Sequence, residues 1–448
     1  MSYWSPYKPT DAAPWNIERV VHLHRRAAFA ATWGEIERDL RDGPEAAVTR
    51  LIDGQARLEG VPEGFESLAA IIGQAAVDSG SAERLKAWWL YRCLFSPHPL
   101  QERLTLMWHN HFATSNLKVD DLRLMKRQNE LLRQHALSRF GELLAAMIRD
   151  PALLKWLDAP ANRKEHPNEN LARELMELFT LGIGHYAEAD VQQAARALSG
   201  WTVRQGEFFE QPAAHDDSEK SILGRTGNWN GSELVQILLA QPATSQRLAW
   251  RLCAEFCGER VADKPALDEL ADGLRRHELD MRWGVETILR SELFFSRPNL
   301  ASRVCDPVSF VVGPLRALEC WRDPPSTIVL AEWLRRMEQD LFYPPNVGGW
   351  PGGRAWLSTR AILARSNCMA ALVAGELNNP ARPPDLDQLT ARHVGAKSVA
   401  DAANFLSRLL YGRVLDNVPP TERPAQEDQS PLSRSLLALL TCPQAHLH

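Results

Sequence analysis

Apolar residues recur at intervals of three and four positions along almost the whole chain, which is the pattern of helices that bury one face. Strand-like alternation is scarce, and its best example, Val203–Phe209, is short enough to be half of a small hairpin. The pattern therefore predicts an all-α fold, a large multi-helix globular domain with at most a small β-hairpin insertion. The predicted helices include Trp33–Leu51, Ala82–Leu94, Pro99–His111, Phe140–Met147, Asn168–Leu181, Ala243–Phe256 and Thr359–Glu376.

Composition and charge exclude several classes of protein. Hydrophobic residues make up 45% and charged residues 24% of the 448 positions, which is ordinary for a globular protein and excludes wholesale disorder. The net charge is −5 and no basic stripe occurs, so we expect no nucleic-acid partner. No run approaches the ~18 apolar residues that a membrane-spanning helix needs, and the polar, Pro-rich start is not typical of a signal peptide.

The seven cysteines are scattered and most have apolar neighbours, which is typical of reduced thiols in a cytoplasmic protein. We therefore expect a cytoplasmic location. Cys253 and Cys257 lie one helical turn apart, a spacing at which two thiols could share a ligand. No second pair at metal-binding spacing accompanies them, so we do not expect a site of paired cysteines.

The first motif that could carry chemistry is Leu106–Phe112, with the sequence LMWHNHF. His109 and His111 are about 200° apart on a regular helix, so joint binding of a divalent transition metal requires unwinding near Asn110. The alternative is that one histidine caps the end of the helix and the other is buried with a partner. Glu102 lies on the same face as His109 and could hydrogen-bond to it or share its ligand.

The second motif is Asn168–Phe179, a helix rich in carboxylates. Glu169, Arg173, Glu174 and Glu177 are its candidate catalytic residues, on the hypothesis that they face the two histidines of the first motif. Carboxylates combined with imidazoles would suit zinc, iron or manganese. The alternative is an exposed helix face on which residues four apart form ordinary ion pairs.

The third motif lies in the long polar segment 204–232, which we expect to be a loop or a small β insertion. It has the sequence HDDSEK, and its end residues His215 and Lys220 are candidate substrate-binding residues. The alternative is that these charges only stabilise the loop through salt bridges.

The fourth motif is Tyr343–Trp356, with the sequence YPPNVGGWPGGRAW. Its glycines permit backbone conformations that other residues avoid, and a helix follows it. Backbone N–H groups together with Arg354 could hold an anion, and Trp350 and Trp356 could stack on a planar group. The alternative is a rigid loop that closes the core. The spacing of a P-loop is absent.

Four segments together resemble a bacterial family catalogued as domain of unknown function eighteen hundred. The segments are HLHRRAAFAATWGEIE, ERLTLMWHNHFATS, NENLARELMELFTLGIGHYAEADVQQAARALSGW and LFYPPNVGGWPGGRAWLSTRAILARSN. The family has no settled activity. Its members are often encoded beside proteins that resemble alkaline phosphatases or sulfatases, so the resemblance implies a protein partner of that kind.

The matching segments run from about residue 18 to residue 376 without a clear break. We therefore expect residues 1–376 to form one main helical domain. Residues 377–390 are Pro-rich, and residues 417–430 form a second polar gap. We expect 377–448 to comprise a linker and C-terminal helices that pack on the main domain.

Two functions from different classes remain open. The first is a non-catalytic scaffold or accessory protein for a sulfatase-like partner, in which the buried polar residues form a specificity network. The alternative is a metal- or acid/base-dependent enzyme with a His/Glu site in the helical core. In that case the Gly/Trp/Arg loop of the fourth motif would bind an anionic or planar part of the substrate.

Overall fold

A computed structural model describes residues 2–54, 64–321, 324–378, 380–416 and 430–448. Helices dominate these residues, and the strands form only two small antiparallel hairpins, so the predicted all-α class is confirmed. The α-helices in the described part of the chain are α1 (Ile17–Ala27), α2 (Trp33–Asp42), α3 (Pro44–Asp53), α4 (Phe65–Asp78), α5 (Ala82–Phe95), α6 (Pro99–His111), α7 (Asn116–Val119), α8 (Leu122–Gln134), α9 (Phe140–Met147), α10 (Pro151–Trp156), α11 (Asn170–Glu174), α12 (Glu188–Ala197), α13 (Gly231–Leu239), α14 (Pro242–Phe256), α15 (Lys264–Arg276), α16 (Met281–Leu289), α17 (Pro307–Ala317), α18 (Thr327–Arg336), α19 (Thr359–Val373), α20 (Leu386–Val394), α21 (Val399–Tyr411) and α22 (Pro431–Thr441).

The predicted strand Val203–Phe209 contains parts of two strands. Strand β1 (Trp201–Arg204) pairs antiparallel with β2 (Glu207–Glu210) across a two-residue turn. A second hairpin, β3 (Lys220–Ile222) with β4 (Arg225–Gly227), follows. Its strands have three residues each, too few to show an alternating pattern in the sequence. The segment 204–232 is therefore a small β insertion with connecting loops.

Two of the predicted helices are interrupted. The prediction of a single helix over Trp33–Leu51 is wrong, because Gly43 adopts a φ of 88° between α2 and α3. The predicted helix Asn168–Leu181 begins as α11 and continues as a π-helix, Leu175–Thr180. Apolar spacing alone does not distinguish a π-helix from an α-helix, so the periodicity could not predict this change.

The buried apolar side chains form two clusters, and α6 contributes to both. Leu106 belongs to the first cluster, which α5, α17 and the helices from α18 onward largely build. Leu104 and Trp108 belong to the second, which α9 to α16 largely build. Because α6 lies between the two clusters, its C-terminal end is held from both sides.

The C-terminal helices contact the helices that precede them. Helix α22 packs against α19 and α21, and α21 packs against α1. The division of the chain at residue 377 stays a prediction, and most of the predicted polar gap 417–430 lies outside the described residues. None of the helices in the described ranges is both long and apolar enough to cross a membrane.

A buried ion network fixes α6 to its neighbours. Both carboxylate oxygens of Glu102 are bound by arginines, Oε1 by Arg92 Nε and Arg133 Nε at 2.8 Å each, and Oε2 by Arg133 Nη2 at 3.0 Å. Burial raises the pKa of this carboxyl, but the charges of Arg133 and Arg92 outweigh burial and lower it below its ordinary value. The partners of Glu102 are thus arginines and not His109.

Glu102→Gln is expected to lower the free energy of unfolding by about 3–5 kcal/mol, because it leaves two buried guanidinium groups without their shared counter-charge. Urea denaturation at pH 7 measures the change. Glu66→Gln is the matched control, since Glu66 pairs with the same Arg92 but is exposed. It should cost less than about 1 kcal/mol.

The Glu102→Gln variant also tests how the stabilising effect of Glu102 depends on pH. Because the pKa of Glu102 is lowered in the folded state, its stabilising effect is present above the ordinary glutamate pKa of about 4.3 and is lost as the pH falls. The stability difference between wild type and Glu102→Gln should therefore be constant from neutral pH down to that pKa and shrink below it. A difference that grows on acidification would contradict the assignment.

Candidate functional site

A cleft of about 590 Å³ opens where three of the four motifs meet. The last turn of α6 contributes Asn110 and His111, the π-helix contributes Leu178, and the fourth motif contributes residues between Val347 and Gly353. The remaining wall is α14 with the segment that follows it. We call this cavity the glycine-loop cleft.

A backbone clamp holds the fourth motif against the end of α6. The Trp350 N–H donates to Asn110 Oδ1 at 2.7 Å across 240 residues of sequence. Gly349 has a φ of 83°, and a Cβ at this position would lie 2.2 Å from Asn110 Oδ1. The close approach therefore requires glycine at position 349.

His111 connects the cleft to the π-helix. Its Nε2–H donates to the Phe179 carbonyl oxygen at 3.1 Å. Burial lowers the pKa of His111 well below 6.5, and the charges of Arg251 and Arg247 lower it further. His111 is therefore neutral at neutral pH and its orientation is fixed.

His109, two residues away, lies in a different environment. Its ring packs among Trp89, Phe342 and Trp350, with ring centroids 5.0, 5.7 and 5.6 Å away. Neither ring nitrogen has a hydrogen-bond partner among the described residues, and burial lowers the pKa of His109 to about 3. Helix α6 stays regular through both histidines, so the structure does not bring them together.

The described ranges contain no group of three or more His, Cys, Asp or Glu side chains arranged to hold a metal ion. The structure therefore does not assemble, among these residues, the donor set proposed from the sequence.

Two arginines on α14 lie at the cleft without carboxylate partners. Arg251 Nη2 donates to the Met107 carbonyl at 2.8 Å, and Arg247 Nη2 donates to the Leu178 carbonyl at 3.4 Å. The Nε atom of each has no partner, and neither forms an ion pair with an acidic residue in the described part of the chain. Burial lowers the pKa of Arg251 to about 10 and also lowers that of Arg247, so both stay charged at neutral pH.

The charges around the cleft are predominantly positive. Four arginines and two glutamates line it, an excess of two positive charges; they are Arg247, Arg251, Arg260, Arg303, Glu255 and Glu259. Glu255 is already engaged, since it forms ion pairs with the buried Arg103 and with Arg303. The cleft thus favours an anion.

The cleft also has an apolar side. Trp250 is 45% exposed, and the Arg247 guanidinium lies over its ring, 4.8 Å from the centroid. Leu178 and Val347 line the same cavity. An anionic group and an attached apolar group can therefore be accommodated together.

The charged residues of the second motif do not line the cleft, although the charge of Glu177 is near enough to Arg247 to oppose the lowering of that arginine's pKa by burial. Arg173 pairs with Glu169 at 2.9 Å and with Glu188 at 2.7 Å, and Glu177 accepts a hydrogen bond from the Tyr186 hydroxyl. Burial and the charge of Glu177 raise the pKa of Glu174. None of the four predicted catalytic residues lines the cleft.

The third motif lies at a separate cavity of about 230 Å³. His215 lines that cavity, and its Nδ1–H donates to the Ser199 carbonyl at 2.9 Å. Lys220 is buried, and its Nζ donates to the Ser218 carbonyl at 2.9 Å. Neither residue lines the glycine-loop cleft, so the structure divides the predicted substrate-binding residues between two places.

The three predicted binding residues of the fourth motif have different surroundings. Trp350 is buried and lines the cleft, whereas Trp356 is buried in the first apolar cluster. Arg354 is 87% exposed, with its Nε 3.8 Å from the Glu259 carboxylate at the rim.

Helix α14 lies where the apolar periodicity predicts a helix, but Arg247 and Arg251 are not among the binding residues predicted from the sequence. A signal was present, because two like charges four residues apart destabilise an isolated helix slightly. An arginine pair at that spacing on a largely apolar helix indicates a common counter-charge. Asn110 is likewise predicted only as the position near which α6 would unwind, whereas its side chain forms the clamp with Trp350.

Gly349→Ala is expected to destabilise the protein by about 1–3 kcal/mol, because alanine at this φ is strained and its Cβ collides with Asn110. The clamp should open, and the midpoint of thermal unfolding, followed by circular dichroism, measures the effect. Gly348→Ala is the matched control, since Gly348 has no positive φ and its nearest neighbour is a side-chain oxygen at 3.1 Å. Equal losses in both variants would contradict the clamp.

Comparisons with known proteins agree with the family resemblance. No curated protein and no solved structure matches the chain. The model of the family described as "Protein of unknown function (DUF1800)" matches residues 22–443. This match includes the α6 end, the π-helix, α14 and the glycine loop, and therefore every wall of the cleft. The chain belongs to the DUF1800 family.

Proposed function

We propose that the protein binds a small organic anion in the glycine-loop cleft and acts as a non-catalytic accessory protein. The observation that carries the proposal is the pair Arg247 and Arg251. Both border the cleft, both are partly buried, and neither has a carboxylate partner among the described residues.

The energetics of burial favour an anionic ligand. A charge removed from water is costly unless another charge or several hydrogen bonds compensate it. Residues four apart on a helix have Cβ atoms about 5–6 Å from each other, so one oxyanion can contact both guanidinium groups. Guanidinium groups bind carboxylate, phosphate and sulfate through paired N–H donors.

The size and lining of the cleft favour a small organic molecule. Its volume of about 590 Å³ falls within the range of roughly 300–1,000 Å³ typical of ligand pockets. Trp250 and Leu178 offer apolar surface beside the arginines. The ligand class we propose is therefore a molecule with one oxyanion and an apolar or planar body.

A non-catalytic role is supported by two titratable residues of the cleft that already have protein partners. His111 is neutral and donates its Nε2–H to Phe179, and Glu255 is held by two arginines. General acid–base chemistry needs a group with a proton acceptor or donor free to reach the substrate. The lining residues are better suited to holding an anion than to transferring a proton.

One observation favours a second candidate function, an acid/base- or metal-dependent enzyme. His111 lines the cleft beside the anion-binding arginines, where a substrate would lie. The predicted catalytic residues Glu169, Glu174 and Glu177 do not line it. We place this function second for that reason.

We also propose a protein partner and a location. The partner is the sulfatase-like or alkaline-phosphatase-like protein that the family resemblance implies, a class that acts on anionic esters. A cytoplasmic location is supported by the seven cysteines, all of which are free.

Anion binding is tested by isothermal titration with inorganic sulfate, inorganic phosphate and acetate, against a background of constant ionic strength. We expect saturable binding by the wild type. Because a hydrogen bond to a charged group contributes about 1.5–3 kcal/mol, Arg251→Gln and Arg247→Gln should each weaken binding by about ten-fold or more.

Arg275→Gln on α15 is the matched control, since this exposed arginine does not line the cleft and forms an ion pair with Asp272. Circular dichroism verifies that the variants are folded, and Arg251→Lys separates the guanidinium geometry from the charge alone. No saturable binding by the wild type, or equal affinity in all variants, would refute the proposed site.

The partner is tested by co-expression of this chain with a sulfatase-like protein of the kind often encoded beside members of the family, followed by affinity purification. A stoichiometric complex that survives gel filtration at micromolar concentration is expected. If the two proteins elute separately at that concentration, the accessory role is wrong even when the anion binds.

A further inference from the structure

Two cysteines lie side by side in the wall of the glycine-loop cleft. Cys253 is in the last turn of α14, and Cys257 follows directly after the helix ends. The Cys257 N–H donates to the Cys253 carbonyl at 2.7 Å, which keeps the two residues one turn apart. Both line the cleft. They are therefore two neighbouring thiols beside a cavity that solutes can enter.

The two thiols interact directly. A hydrogen bond from Cys253 to Cys257 lowers the pKa of Cys257, and the charge of Arg26 lowers it further, although burial acts in the opposite direction. The same hydrogen bond raises the pKa of Cys253 well above its ordinary value. Arg26 is close because its Nη1 donates to the Phe256 carbonyl at 2.8 Å. The two sulfurs therefore have unequal roles.

Other cysteines of the chain lack this arrangement. Cys253 and Cys257 are also buried, at 5% and 3% exposure, but they line the cleft and are neighbours. Cys93 and Cys368 are buried in the first apolar cluster and do not line the cleft, and burial raises the pKa of each. They are thiols of ordinary core packing and serve as internal standards for reactivity.

We propose that Cys253 and Cys257 are a peroxide-reactive thiol pair that is oxidised to a disulfide. The co-reactant is a hydroperoxide. The Cys257 thiolate attacks one peroxide oxygen, an S–O bond forms as the O–O bond breaks, and the departing oxygen takes up a proton and leaves as water or an alcohol. The product at Cys257 is a sulfenic acid.

The second step involves Cys253. Its sulfur attacks the sulfenic sulfur, the S–S bond forms, the S–O bond breaks, and water leaves with the thiol proton. Two thiols are oxidised by two electrons and the hydroperoxide is reduced by two. A disulfide requires Cβ atoms about 3.5–4.5 Å apart, closer than the roughly 5–6 Å between Cβ atoms one turn apart on a regular helix. Cys257 is the C-cap residue of α14 with an extended backbone, so it lies outside the regular helix and a local shift of the chain there can close the bond.

The sequence makes the test direct. Trypsin cleavage after Arg251 and Arg260 releases one peptide, Leu252–Arg260, that contains both cysteines and no other. The folded, fully reduced protein is treated with hydrogen peroxide, and the remaining thiols are alkylated before digestion. Mass spectrometry should show this peptide unalkylated and lighter by two hydrogen atoms, formed about ten-fold or more faster than Cys93 or Cys368 reacts.

Single variants assign the roles. Cys253→Ser should leave a sulfenic acid at position 257 that dimedone traps, whereas Cys257→Ser should give no dimedone adduct at position 253. The proposal is wrong if the peptide stays reduced, or if it is oxidised no faster than Cys93 and Cys368. It is also wrong if the dimedone adduct appears at position 253 alone. Anion binding is measured separately by titration. A protein that binds no anion could still form the disulfide, and a protein that forms no disulfide could still bind the anion.

Discussion

A guanidinium group buried in this helical protein loses its hydrogen bonds to water, and a carboxylate or backbone carbonyls must replace them. The arrangement of the fold depends on which of these acceptors each arginine has. Arg92 and Arg133 share Glu102, and Arg103 uses Glu255 and Asp306. Fully enclosed arginines donate instead to backbone carbonyls; they are Arg26, Arg316 and Arg365. Arg247 and Arg251 also donate to one carbonyl each, as Arg365 does, but they differ because they border a cleft that a solute can enter. The same physical requirement that stabilises the core therefore favours an anionic ligand at the cleft.

Helix α6 organises this arrangement because it lies between the two apolar clusters. Its last turns supply the Met107 carbonyl to Arg251, the Asn110 side chain to the glycine loop, and the His111 ring to the π-helix. The extra residue of the π-helix changes the direction of the backbone carbonyls near Phe179, and π-helices are often found at functional sites. Three motifs that are far apart in sequence thereby share one cavity, with α14 as its fourth wall.

Much of the local structure could be predicted from the sequence, because apolar periodicity and helix-capping residues act over a few positions. Helices α6 and α9 have the predicted bounds, and the Asp150 side chain caps α10 by accepting a hydrogen bond from the Leu153 N–H. The candidate site was harder, because it depends on contacts such as Asn110 with Trp350 that span the chain. Periodicity does not indicate which neighbour a helix face meets. The carboxylates near Arg173 were therefore placed at the site, and the arginines of α14 were not.

The central claim is that one anion lies between Arg247 and Arg251, and the most direct measurement is anomalous X-ray scattering from crystals soaked in selenate. The account predicts the strongest anomalous peak in the glycine-loop cleft, within hydrogen-bond distance of both guanidinium groups. The same soak of Arg251→Gln crystals should show this peak weakened or absent. Selenate bound elsewhere, with no anomalous density between these two arginines in the wild type, would contradict the account.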